Sequence, residues 1–189
     1  YPPNKGDKVR SYHFLKHLAA RYRVLLGTFV DDPLDWEHVA ALRGWCADVH
    51  IEALPRWTKM ARSVRGALQG EALTLGCFRS RRLRQWVKEV VGRERITRAF
   101  AFSSPMAQYA LDHPQVRSFI DMVDMDSAKW GEYALRRRWP VSALYRREAT
   151  RLLAYEREIA ARSEASIFVT DEEATLFRDA APESAARVV

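Results

Sequence analysis

The chain has 189 residues and a mass of 21.8 kDa; it is 48% hydrophobic, with 31 Lys and Arg against 24 Asp and Glu, a formal net charge of +7 and a pI near 9.7. That apolar content excludes a disordered segment and is enough for one sizeable core. Two cysteines, Cys46 and Cys77, exclude a disulfide framework or a Cys-rich zinc site and make a reducing cytoplasm the default, while no run approaches the ~18 apolar residues of a membrane span.

The opening Tyr1-Pro2-Pro3-Asn4-Lys5-Gly6 is loop chemistry. Val9, Tyr12, Leu15, Leu18, Ala19 and Tyr22 then recur at helical spacing, with Asp7 as the expected N-cap. Residues 24–30 read as a buried strand stopped by Asp31-Asp32-Pro33, residues 34–46 as a helix, and residues 49–54 as an alternating strand. The stretch from Arg56 to about Gln69 places Trp57, Met60, Ala61, Val64 and Leu68 on one helical face and Arg56, Lys59, Arg62 and Arg65 elsewhere, a basic amphipathic helix. Further helices are expected over 79–91, up to Leu111, from Asp126-Ser127, over 141–162 and after Thr170; strands are expected over 97–102, 118–123 and 165–169. Alternation of short strands with helices, without two-residue hairpin signals, predicts an α/β fold: a Rossmann-like open, mostly parallel sheet with helices on both faces. The loop-like start and the apolar run just opening at Ala186-Arg187-Val188-Val189 predict a single domain over 1–189, cut from a longer polypeptide.

In such sheets ligands bind beyond the carboxyl ends of the strands, which directs attention to Asn4–Arg10, Asp31-Asp32, Ser103-Ser104, Asp124-Met125-Asp126 and Thr170. Gly6 at a helix N-terminus, with Asp7 and with Arg10 one turn inside, suits a phosphate or an ordinary turn. Asp121, Asp124 and Asp126 crowd one strand end. They suit a metal–diphosphate site or acceptance of sugar hydroxyls, unless Asp126 or Ser127 only caps the next helix. His13 and His17 lack the company a zinc site needs, and Ser103-Ser104 lacks a nucleophile elbow.

The basic residues are 25 Arg to six Lys, a bias that genomic base composition alone can produce. Clusters at Arg79–Arg84, Arg136–Arg138 and Arg146–Arg151, with Trp86, Trp130, Trp139 and Tyr145 interleaved, fit nucleic acid or an anionic membrane. They also fit a solvated face in which Glu132, Glu148, Glu156 and Glu158 offset the arginines.

Five segments carry a family resemblance: 1–12, 26–32, 103–109, 121–130, and 153–156 running into 168–174. On these the chain resembles the N-terminal half of a GT-B glycosyltransferase, similar to family 4 and to the sugar transferases of exosortase-associated exopolysaccharide systems. The resemblance implies sugar transfer from a nucleotide-sugar donor to a glycan or polyprenyl-diphosphate-linked acceptor at the cytoplasmic face of the membrane, with retention of configuration. It implies a further donor-binding domain, no metal, and no cofactor beyond the nucleotide-sugar co-substrate. By resemblance, Gly6, Asp7 and Arg10 approach the donor diphosphate, and Asp124 and Asp126 serve as acceptor base or orienting groups. Ser103, Ser104 and Thr170 contact the acceptor, while Arg56, Trp57, Lys59 and Arg62 meet an anionic membrane surface. No nucleic-acid partner is expected on this reading; the rivals are a nucleic-acid-binding α/β module and a non-catalytic sugar- or nucleotide-binding domain.

Overall fold

A computed structural model describes residues 6–189, and the side chains from Lys8 onward. In chain order the elements are α1 (Gly6–Ala19), β1 (Leu25–Val30), α2 (Val39–Trp45), β2 (Asp48–Ala53), α3 (Arg56–Leu68), α4 (Leu73–Cys77) and α5 (Arg81–Arg93). They continue with β3 (Arg98–Phe102), α6 (Ala107–Ala110), β4 (Arg117–Val123), α7 (Asp126–Leu135), α8 (Val141–Arg162), β5 (Ala165–Phe168) and α9 (Asp171–Ala180). Short 3₁₀ turns occupy Pro33–His38, Ser104–Met106 and Pro182–Arg187. The fold is α/β, with two small, wholly parallel sheets flanked by helices, consistent with a Rossmann-like fold. The chain forms two compact units, Tyr1–Thr58 with Ser80–Arg95, and Lys59–Arg79 with Ile96–Val189.

In the first unit β1 and β2 pair in parallel from Leu25↔Asp48 to Val30↔Ala53. A Cβ on Gly27 would stand 2.8 Å from Leu83 Cδ1 and 3.0 Å from the Trp86 ring, so glycine permits the close approach of α5 to β1. Ser80 caps α5 by accepting the Leu83 N–H, and its hydroxyl donates to Glu52 at 2.7 Å. The expected helix over 34–46 divides into a 3₁₀ turn and α2. Asp32 caps that turn through the Leu34 N–H, and Pro33 opens it. The expected N-cap Asp7 lies inside α1, which starts at Gly6, a two-residue shift of the kind helix ends commonly show.

In the second unit β4 is central, in the order β3-β4-β5. Register runs Arg98↔Arg117 to Phe102↔Asp121 on one side and Phe119↔Ala165 to Val123↔Phe168 on the other, with a shift between Asp121 and Val123. Val188 bridges Ser166 in parallel, with the Phe168 N–H donating to the Val189 carbonyl at 2.9 Å. Ile120, Met122, Ile159 and Phe177 are almost wholly buried around this sheet, as a parallel sheet covered by helices requires.

The helix α4 falls in a stretch the sequence left unassigned. Leu75 and Gly76 are buried in it. Ala72, Leu75 and Leu152 form a second apolar cluster edged by Trp130 and Tyr155. Among the described residues no helix is long and apolar enough to cross a membrane.

Candidate functional site

Three parallel strands end side by side in the second unit, and Ser103, Asp124 and Thr170 each stand within two residues of a strand's carboxyl end. Backbone strain marks two of those ends. Ser103 has φ 69° and ψ 145°, and Val123 has φ 67°. A β-branched residue at positive φ is held there only by its surroundings and costs about 1–3 kcal/mol. The holding contacts are present: the buried Asp121 carboxylate accepts the Val123 N–H at 3.1 Å, and the Ser103 N–H donates to the Asp121 carbonyl at 2.8 Å. Asp121, wholly buried, therefore serves the backbone. The positive φ of Val123 stands between it and Asp124, and Asp126 already belongs to α7, so the crowding of three acids at one strand end is shared between strand, turn and helix.

Asp126 is the first residue of α7; its N-cap position is Met125, and no side chain caps there. The alternative reading of Asp126 or Ser127 as a simple cap is thereby corrected. Instead, acids from two other helices take the free N–H groups. Glu173 of α9 accepts from Met125 N at 2.8 Å; Glu156 of α8 accepts from Ser127 N at 3.1 Å and from Ser127 Oγ at 2.5 Å.

The electrostatics follow from this crowding. Burial pushes the Asp126 carboxyl up; Lys129 opposes that, while Asp124 and Glu173 add to it. Burial likewise pushes Glu156, fully buried, up to about 7, against the lowering hydrogen bonds from Ser127. Burial lowers the Lys129 ammonium, but the hydrogen bond and charge of Asp124, with Asp126 and Glu173, outweigh it and leave it raised. Lys129 Nζ donates to Asp124 Oδ2. The result is a half-buried carboxyl, Asp126, with a raised proton affinity beside a Lys–Asp pair, an arrangement that makes it a stronger base toward a hydroxyl than an exposed aspartate.

Ser104 is fully buried, its carbonyl accepting from the Tyr155 hydroxyl at 3.0 Å and its own Oγ without a partner among the described residues. Thr170 caps α9, its Oγ1 accepting the Glu173 N–H at 3.2 Å. Gly6, Asp7 and Arg10 belong to the first unit. The side chain of Asp7 and the preceding loop, Asn4 and Lys5, lie outside the described residues; the Arg10 guanidinium sits 5.1 Å over the Phe14 ring.

On α3, Arg56 and Trp57 are exposed, whereas Lys59 and Arg62 are half-buried. The apolar stripe faces outward: Trp57 is 71% exposed, Met60 69%, Val64 53% and Leu68 85%.

One sequence expectation changes here. Glu148 and Glu156 are not surface partners of arginines. Both are fully buried, and Glu148 accepts from Leu73 N at 2.7 Å and Thr74 N at 2.8 Å, at the start of α4. Their signal was legible in the spacing Glu148, Leu152, Glu156, Ile159, two acids on an apolar helical stripe. Of the interleaved aromatics, Trp86 stacks on His50 at 5.4 Å within the first unit, and Trp130 packs edge-on to Tyr145 at 5.0 Å within the second.

Among the described residues no group of three or more His, Cys, Asp and Glu is placed to hold a metal ion. A shallow polar cleft lined by Arg117, Arg162 and Arg187 lies at the opposite, amino edge of the sheet. Its arginines are engaged by Glu164, Glu158 and the Ala161 carbonyl, which leaves the carboxyl edge as the candidate site. Compared with protein-family models, curated proteins and solved structures, the chain has no match.

Proposed function

We propose that this chain is the acceptor-side domain of a glycosyltransferase that moves a sugar from a nucleotide-sugar to a glycan or polyprenyl-diphosphate-linked acceptor in exopolysaccharide assembly, peripherally at the cytoplasmic face of the membrane. The observation that carries the reading is Asp126, a half-buried carboxyl of raised proton affinity at the carboxyl edge of a parallel sheet. In the proposed reaction an acceptor hydroxyl gives its proton to Asp126, its oxygen bonds to the anomeric carbon on the same face from which the diphosphate leaves, so that configuration is retained, and the bond from that carbon to the diphosphate breaks. The nucleoside diphosphate departs with the bonding electron pair. Asp124, tied to Lys129, orients neighbouring hydroxyls. Ser103 and Thr170 border the acceptor, and the exposed stripe of α3 with Arg56 rests on the bilayer.

The test is sugar transfer by the full-length gene product from a panel of nucleotide-sugars. Asp126→Asn is expected to lower kcat by about 10²–10⁴-fold with the melting profile retained; full activity in that variant removes Asp126 from the mechanism. Tight, salt-sensitive oligonucleotide binding without transfer would favour the nucleic-acid module instead.

A further inference from the structure

The turn joining α7 to α8 presents seven consecutive exposed residues, Leu135-Arg136-Arg137-Arg138-Trp139-Pro140-Val141. Leu135 is 86% exposed and Trp139 81%, with Val141 and Leu144 also open to solvent. Arg136, Arg137 and Arg138 make no ion pair among the described residues. The turn is well supported. Arg136 N donates to the Tyr133 carbonyl at 3.2 Å, Ser142 N donates to the Arg138 carbonyl at 3.1 Å, and below it Trp130 packs against both Tyr133 and Tyr145. A fixed scaffold therefore holds two large apolar side chains in water on either side of three unpaired cations.

The composition selects the occupant. Tryptophan is favoured where one end of its ring is apolar and the other wet, which describes the lipid–water boundary. Guanidinium groups bind phosphate oxygens in pairs. Leu135 and Val141 gain nothing from a phosphate backbone, so nucleic acid would leave half of the turn unused. Anionic lipid uses all of it. We propose that the 135–141 turn is a membrane anchor, seating Leu135 and Trp139 among headgroups and acyl chains while Arg136–Arg138 hold anionic lipid phosphates. It is a second contact beside α3, whose Ala67 carbonyl accepts from Arg147 of α8 at 3.0 Å. The inference rests on the proposed function only in placing the protein at a membrane.

The experiment is co-sedimentation of the full chain with phosphatidylcholine vesicles, with and without phosphatidylglycerol. Wild type should pellet with the anionic vesicles and not with the neutral ones. The triple variant Arg136→Gln, Arg137→Gln, Arg138→Gln should bind them roughly tenfold or more weakly. Leu135→Ser with Trp139→Ser should also weaken binding while the arginines remain, and both variants should melt as wild type because every changed side chain is exposed. The proposal is overturned if neither variant alters vesicle affinity, if neutral vesicles serve equally well, or if wild type binds no vesicles. It is overturned too if only Trp57→Ser with Met60→Ser on α3 abolishes binding, or if the turn variants instead abolish self-association or oligonucleotide binding. Neither donor nor acceptor enters this assay, so its failure leaves sugar transfer to be decided by Asp126→Asn.

Discussion

Glu156 shows how much one buried acid can organise. Its carboxyl takes both the backbone and side-chain hydrogens of Ser127 and so fixes the first turn of α7, the turn that carries Asp126. Its folded-state pKa of about 7 lies above the ordinary 4.5. Between those values the native state holds a proton that the unfolded chain has released, so stability falls as pH rises through this window. The expected loss is on the order of 3 kcal/mol by pH 8. Glu156→Gln should flatten that decline, read as urea midpoints from pH 5 to pH 8; an unchanged slope would place Glu156 outside the titration. Glu148, also buried on α8, accepts backbone N–H groups with both of its oxygens. Glu148→Ala strands two buried donors and should cost about 2–4 kcal/mol in chemical denaturation.

Helix packing in the second unit depends on glycine. A Cβ on Gly76 would come within 2.8 Å of the Arg62 carbonyl oxygen, and one on Gly66 within 3.2 Å of the Gly76 Cα. Those contacts involve backbone, which cannot swing aside, so Gly76→Ala should destabilise by about 1–3 kcal/mol. Gly131, inside α7 with nothing within 4 Å of the point a Cβ would occupy, is the opposite case: Gly131→Ala should stabilise by roughly 0.5–1 kcal/mol. Differential scanning calorimetry of the pair checks both signs. The packing also explains an inversion in α3. Its periodicity identified one apolar and one basic face correctly, yet the inward side carries Ser63, Gly66 and Ala67, with Ser63 Oγ donating to the Leu73 carbonyl at 2.9 Å. Close approach through small residues won over burial of the apolar stripe. Periodicity reports that a helix is two-faced and is silent on which face finds a neighbour.

For the whole molecule, the net charge of +7 is unevenly engaged. Arg23, Arg79, Arg93, Arg117, Arg157 and Arg162 are paired with carboxylates, whereas Arg136–Arg138 stand free of such pairs among the described residues. Vesicle affinity should therefore fall steeply with added salt, as the screening length shrinks from about 10 Å at 0.1 M to about 3 Å at 1 M. A residual, salt-resistant fraction should track Leu135 and Trp139, and vesicle titration at several ionic strengths separates the two contributions. Strand positions, the helix positions apart from α4 and the α/β class were legible in the sequence, because hydrophobic period and turn residues act over a few neighbours. The carboxyl-edge location of Ser103, Asp124 and Thr170 followed from those strands. Lys129, one turn along α7 from Asp126, is a neighbour that helical spacing alone supplies, but Glu156 and Glu173 could not be gathered there in the same way, since they arrive from α8 and α9 and meet α7 only when those helices pack. Local chemistry decided which segments are strands and helices; long-range packing decided the positive φ of Val123, the capping of α7 by distant acids and the raised proton affinity of Asp126, because burial and neighbouring charge are properties of the folded chain alone.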